Sequence, residues 1–279
     1  MRIDAKRMLM KLSTLCSATR VGRKITEVTG ASIMDRTQEI KYKSVKMIFC
    51  IPNDVSRFRV DTFATKEPET LEWIDNMAEG ASFWDIGANI GLYSVYAAKK
   101  RNCKVVAFEP SIFNLELLAR NLFKNCLNGY VTIIPLPLSN KEGPNLLRFA
   151  TAEWGGALSS FGSEEGWDGK PMEEVFSYRT YGLTLDQVCD NFNLSGPDYI
   201  KMDVDGIEHL ILQGGFNALK RVKSVLVEIN DDYKEQADQS NKLLEQAGLE
   251  LRKKQHAEMF EGTRYGNVYN QIWERERDV

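Results

Sequence analysis

From residue 81 onward, short apolar runs alternate with segments of helical period, the rhythm of a parallel sheet joined by crossover helices. ASFWDI (81–86) predicts a buried strand, GLYSVYAAKK (91–100) a helix, KVVAFE (104–109) a second strand and NLELLARNLFKN (114–125) a second helix. YVTIIPLPL (130–138) predicts a third strand, bent or at a sheet edge because Pro135 and Pro137 cannot donate to a ladder. The rhythm lapses over 139–182, a glycine-rich stretch holding Trp154, Phe161 and Trp167, where a β-rich insertion or loop is expected to carry substrate contacts. It resumes with a helix over 183–192, a strand PDYIKMD (197–203), a helix over 206–215 and a strand VKSVLVEIN (222–230). The helix YKEQADQSNKLLEQAG (233–248) comes next, with Gly248 as its stop signal. LELRKKQ (249–255) and GNVYNQIWER (266–275) close the pattern as an antiparallel pair.

Ahead of this lies a different pattern. Residues 1–24 predict one basic amphipathic helix, packed on the domain or on a partner subunit, with membrane-surface contact as the alternative. VKMIFCIPN and SRFRVDTF predict two strands of a hairpin turning at Pro52-Asn53-Asp54, and EPETLEWIDNM (67–77) predicts a helix. The expected organisation is an N-terminal helix and hairpin extension over 1–78 and a doubly wound, mostly parallel α/β domain over 79–279, with the insertion at 139–182.

Composition changes this picture little. The 279 residues are 43% hydrophobic and 27% charged, with net charge −3. That balance is globular, and the lack of a global basic excess argues against a nucleic-acid partner. The five cysteines are scattered without a C-x-x-C, which disfavours a disulfide framework or a structural zinc site and suits a reducing, cytoplasmic setting. Only two histidines are present, so a His-ligated metal centre has poor support. No apolar run is long enough for a membrane span.

The candidate chemistry sits where the first strand turns into its helix, at Asp85-Ile86-Gly87-Ala88-Asn89-Ile90-Gly91. Glu109 ends the next strand, placed to accept hydrogen bonds from a ribose diol. A dinucleotide fingerprint needs glycine where the backbone meets pyrophosphate, and Asn89 stands there instead. The turn therefore favours S-adenosylmethionine, which has no phosphate. Asp85 would meet its ammonium and the N–H groups of Gly87, Ala88, Asn89 and Gly91 its carboxylate. The bland alternative is a tight turn that needs its glycines for positive φ. Ser111 and Asn114 open the next helix as ligand contacts or as caps, and Leu138-Ser139 lie where an adenine edge would fall or simply turn the chain.

A second constellation begins at the end of the strand PDYIKMD. Asp205 and Glu208 have the spacing of a capping box, with Asp205 as the cap. Asp203 has no capping reason and ends a strand beside the cofactor crevice. Here the chain resembles a known family. FWDIGANIGLYSVYAAK, VVAFEPSIFNLELLARN, LTLDQV, YIKMDVDGIEHLILQGG and VLVEIN match, in order, the blocks of the FkbM methyltransferases over roughly 80–230. The first two blocks are generic to class I methyltransferases, whereas K-x-D-V-[ED]-G-x-E is specific. The family usually has glutamate where this chain has Asp205.

The resemblance implies the seven-stranded Rossmann-like sheet and O-methylation of a hydroxyl on a sugar, glycan or polyketide-like natural product, releasing S-adenosyl-L-homocysteine. A hydroxyl is a poor nucleophile, so a positioned base is expected. Asp203 is the first candidate, with a contact to the cofactor's ammonium as the alternative, and Glu228 is the second. Lys201 would orient Asp203, stabilise an alkoxide, or reach solvent. A less favoured reading joins Asp203, Asn230 and Asp231 in a Mg²⁺ site. Arg57, Arg59 and Lys66, with Trp154 and Trp167, would suit a sugar-like acceptor or form surface charge and a small satellite core. Rival functions are methylation of a protein, amine or RNA on the same fold, and a non-catalytic S-adenosylmethionine-binding subunit. Oligomeric state is left open, a homo-oligomer included.

Overall fold

The computed structural model describes residues 5–256 and 258–276. Two helices come first, α1 (Ala5–Cys16) and α2 (Arg20–Met34), then a hairpin, β1 (Thr37–Tyr42) and β2 (Val45–Cys50), and helices α3 (Asp54–Asp61) and α4 (Pro68–Asp75). The βα series then runs β3 (Ser82–Ile86), α5 (Leu92–Arg101), β4 (Lys104–Phe108), α6 (Ile112–Lys124) and β5 (Val131–Ile134). The insertion supplies β6 (Gly143–Phe149), β7 (Ser159–Phe161) and β8 (Phe176–Gly182). After it come α7 (Leu185–Phe192), β9 (Tyr199–Met202), α8 (Glu208–Gln213), α9 (Phe216–Leu219), β10 (Ser224–Asn230), α10 (Lys234–Gln246), β11 (Leu249–Gln255) and β12 (Val268–Arg275).

Seven strands form one sheet in the order β11-β12-β10-β9-β3-β4-β5. The run from β10 to β5 is parallel, and β12 is antiparallel to both of its neighbours. The strand order reverses between β3 and β9, so a crevice opens at their carboxyl ends, where ligands of such sheets bind. The doubly wound, mostly parallel architecture expected from the sequence is the one observed. β5 is indeed an edge strand and stops at Ile134, immediately before Pro135. Gly248 takes φ +80° just past the end of α10, the left-handed stop its position suggested.

Three local expectations are corrected. The hairpin lies one element earlier, because the strand pairing with β2 is β1, joined through Lys43 at φ +49°. TQEIKY shows only part-buried alternation, a weak strand signal. SRFRVDTF is not a strand: residues 54–61 form α3. Asn53 caps that helix by accepting from Ser56 N, while the Ser56 hydroxyl reaches back, and the buried Ser56, Val60 and Phe63 are spaced for a helical face. The basic segment at 1–24 is broken at residues 17–19, where Thr19 caps α2 by accepting from Gly22 N at 3.0 Å; residues 1–4 of it lie outside the described ones.

The core is shared along the chain. Met47 and Phe49 of β2 and Leu71 and Ile74 of α4 are fully buried in one cluster with Phe83, Val95 and Leu118. Each such side chain contributes about 1.5–3 kcal/mol relative to exposure. Asn121 of α6 and Asn125, its C-cap, tie the hairpin down by accepting from Cys50 N at 2.7 Å and Ile48 N at 3.1 Å. Among the described residues no helix is long and apolar enough to cross a membrane.

Candidate active site at the strand tips

The turn after β3 is built on close backbone approach. Gly87 has φ +84°, and a Cβ there would lie 1.9 Å from the carbonyl oxygen of Asp203. The Gly87 and Ala88 N–H groups both donate to Phe108 O at 3.0 Å. Asn89, also left-handed at φ +51°, donates its N–H to Glu109 Oε2 at 2.7 Å and its side-chain amide to Gly156 O at 2.8 Å. Gly91 (φ +82°) starts α5. Ser111 N donates to Glu109 Oε1 at 2.8 Å, so both oxygens of the Glu109 carboxylate are fixed at the tip of β4. Burial pushes that carboxyl up to about 7, against the pull of the two N–H donors.

Three cavities meet at this turn. One, of about 560 Å³, lies over β3 and β4, with Glu109, Asn89 and Asn114 on one side and Phe108, Leu136, Leu138 and Ile211 as apolar walls. A second, of about 440 Å³, runs under α3 and the loop after it, past Arg59, Lys66, Glu67 and Tyr93 to Lys201. The third is an open cleft of about 1440 Å³, bounded by Phe58, Trp167, Phe260, Tyr265 and His256, with Glu228 and Asp205 within it. Gly87, Asn89 and Asp203 line all three.

Asp203 therefore stands at the junction. Its Oδ2 accepts from Lys201 Nζ at 2.9 Å. The Lys201 side chain is 1% exposed and that of Asp203 22%, so the carboxylate reaches the cavities while its cation stays behind. Lys201 also lies 3.8 Å from Glu67 Oε2 and 5.0 Å from the centre of the Tyr93 ring. Burial acts against the Lys201 charge, yet Asp203, Glu67 and Asp85 around it hold the ammonium above its ordinary range. Burial likewise works against ionised Glu67, but Lys66 at 2.9 Å and Lys201 hold that carboxyl well below the usual range. Lys201 is 1% exposed, lining the second cavity but not the open cleft. Glu228, half-buried in the cleft, is pushed up by burial and by the neighbouring Asp203 charge.

Other expected residues fall differently. Asp85 lies beneath the turn. The strand alternation points it at α5, where its Oδ2 accepts from Ser94 Oγ at 2.6 Å, and it lines none of the three cavities. Ser111 supplies its N–H to Glu109 but makes no side-chain cap and lines no cavity. Asn114 is not a cap either; it accepts from Gly155 N at 3.0 Å and donates to Gly156 O at 3.1 Å, latching the insertion onto α6. Leu138 forms part of the apolar wall, whereas Ser139 is turned away, its N–H held by Leu183 O at 2.8 Å.

Asp205 does not cap α8. It adopts φ +61° and accepts from Leu158 N at 2.7 Å and Ser159 N at 3.3 Å, pinning the insertion between two cavities. Burial and the Asp203 charge push it to about 6. Glu208 does reach back, accepting from Val204 N at 3.0 Å. Of the suggested Mg²⁺ donors, Asn230 is engaged by Trp167 O and Asp232 N, and Asp231 by Lys254. Among the described residues no three His, Cys, Asp or Glu side chains are grouped to hold a metal. Arg59 and Lys66 line the open cleft and Arg57 does not; Trp167 lines it and Trp154 packs against the core. Glu67, Tyr93, Tyr265, Phe260 and His256 carried no sequence signal for this site.

S-adenosylmethionine fits the residues present. A fixed carboxylate at the β4 tip faces an apolar slot suited to adenosine, and the Asn89 side chain, bonded to Gly156 O, stands in the turn where a dinucleotide fingerprint has glycine.

Known proteins share sequence with this chain. The sequence family described as the methyltransferase FkbM domain matches residues 85–261. The hexuronic acid methyltransferase AglP of Haloferax volcanii is 27% identical over 157 residues, covering 56% of this chain and 59% of AglP. The methyltransferase sdnD of Sordaria araneosa is 29% identical over 162 residues, covering 50% of this chain and 62% of sdnD. The chain thus spans about three fifths of the length of these two relatives. Among solved structures, Methanococcus jannaschii TYW2 in complex with AdoMet superposes with a TM-score of 0.43 at 14% identity, covering 86% of this chain and 87% of that one. With its family-specific block in place at the junction of the three cavities, the chain belongs to the FkbM methyltransferase domain family.

Proposed function

We propose that the protein transfers a methyl group from S-adenosylmethionine to an oxygen of a sugar, glycan or polyketide-like natural product. One observation carries this reading: Asp203 lines all three cavities, so a donor on one side and an acceptor on the other meet at a single carboxylate. S-adenosylmethionine supplies an electrophilic methyl on a sulfonium. The protein's part is to align the acceptor oxygen and to take its proton. As the oxygen gains its new bond its proton turns strongly acidic, so a carboxylate held in place by the Lys201 ammonium can receive it. Glu109 would hold the ribose diol, and Asp203 or Glu67 would be available to its ammonium.

The cleft suits an uncharged polyol with an apolar face. Trp167 and Tyr265, 4.7 Å apart between ring centres, offer a wall for sugar C–H groups. Asp203, Asp205, Glu228, Glu69 and Glu153 outnumber Arg59 and Lys66 around it, which disfavours an acidic acceptor. The direct test is transfer of labelled methyl to a panel of neutral glycosides, uronic acids and polyketide alcohols. Label appearing only on amines, protein or RNA would refute the proposal. Replacing Trp167 by Ala is expected to raise the acceptor KM about tenfold with kcat little changed, the loss of one aromatic contact.

Cofactor affinity should depend on pH through Glu109. Its carboxyl is raised to about 7, so in the free protein it carries a proton below that pH. A ribose diol donates to the anion and binding must expel the proton. Affinity therefore weakens by up to about tenfold per unit as pH falls below about 7 and is flat above. Calorimetry on Glu109→Gln should show a flat profile and roughly 10- to 100-fold weaker binding.

A further inference from the structure

We propose that α1 and α2 form a docking surface for an anionic lipid bilayer. Each helix carries an apolar stripe at i, i+4 and i+7: Met8, Leu12 and Leu15 on α1, and Val21, Ile25 and Val28 on α2. These six side chains are between 49% and 71% exposed. The stripes do not face the core, since the buried residue of α2 is Gly22, on which a Cβ would lie 1.6 Å from the Cys16 carbonyl oxygen. That close contact, with Ser17 Oγ 3.0 Å from Thr26 Oγ1, joins the helices at their hinge.

Charge decides what covers the stripes. The segment 11–34 contains Lys11, Arg20, Arg23 and Lys24 against Glu27 alone, in a chain whose net charge is −3. A second copy presenting the same patch would set these cations against their own kind. A nucleic acid has no use for an exposed apolar stripe. A bilayer bearing anionic headgroups satisfies both features, apolar side chains entering the acyl boundary and cations meeting the headgroups.

The test is cosedimentation of the full chain with phosphatidylglycerol-containing vesicles and with pure phosphatidylcholine vesicles, at low and high salt, with light scattering on the protein alone. The expected result is binding at least about tenfold stronger to the anionic vesicles, weakened by salt. Arg20→Glu combined with Arg23→Glu should abolish it, as should Leu15→Ser combined with Ile25→Ser, with the melting temperature of the folded domain unchanged. Absence of vesicle binding, equal binding to neutral vesicles, or binding indifferent to these substitutions would overturn the proposal. So would a dimer that the apolar substitutions dissolve without any vesicle binding.

Discussion

Replacing Asp203 by Asn should lower turnover by about a thousandfold while S-adenosylmethionine still binds, a loss typical of a positioned proton acceptor. The substitution is nearly isosteric, so the junction keeps its shape. Glu67, 3.8 Å from Lys201, still compensates the buried ammonium, which limits the structural cost. Single-turnover measurement of methyl transfer separates the step from binding, and calorimetry reports the cofactor. If Asp203 instead serves the cofactor's ammonium, affinity falls with the rate and the base lies elsewhere. Near-normal turnover in the Asn variant would remove Asp203 from the chemistry altogether.

Gly87→Ala is expected to have an effect of similar size by another route. The added Cβ would fall 1.9 Å from a carbonyl oxygen, in a backbone conformation that L side chains rarely adopt, at φ +84°. The obstacle is main chain, so it cannot rotate aside. Either the β3 turn or the segment carrying Asp203 must move, and both form the cavities. The variant should lose several kcal/mol of stability, on the order of 2–4. Cofactor binding should become undetectable by calorimetry, with a lowered melting temperature. A variant that melts and binds as the parent does would mean that the approach of these two segments is not needed.

Periodic segments are the legible part of this protein. The seven sheet strands after residue 80 and their helices stand out because parallel strands buried on both faces read as unbroken apolar runs. Gly87, Asn89, Glu109 and Asp203 stand out because strand tips are where such sheets hold ligands. The illegible part depends on contacts distant in sequence. Asp85 reads as a ligand from its place in a motif, which says nothing of how its oxygens are used: Oδ2 accepts from Ser94, and Oδ1 has no hydrogen-bond partner among the described residues. Asp205 and Asn114 look like caps because capping is local, whereas their partners, Leu158, Gly155 and Gly156, lie in an insertion with no periodicity. Glu67 looks like the residue ahead of a helix-opening proline; its meaning depends on Lys201, more than a hundred residues away. SRFRVDTF alternates well enough for a strand, and the Asn53–Ser56 capping box overrides that pattern.

The interlocking of the lead-in with the sheet bears on where this protein can be divided. The family match begins at residue 85, yet Met47, Phe49, Leu71 and Ile74 fill the same interior as Val95 and Leu118. Cutting the chain at that border would lay bare a broad oily face on α5 and α6 and would remove Glu67 from its buried counter-ion. The recognisable portion expressed alone should therefore yield aggregate, and a soluble, cooperatively melting fragment would show that it folds by itself.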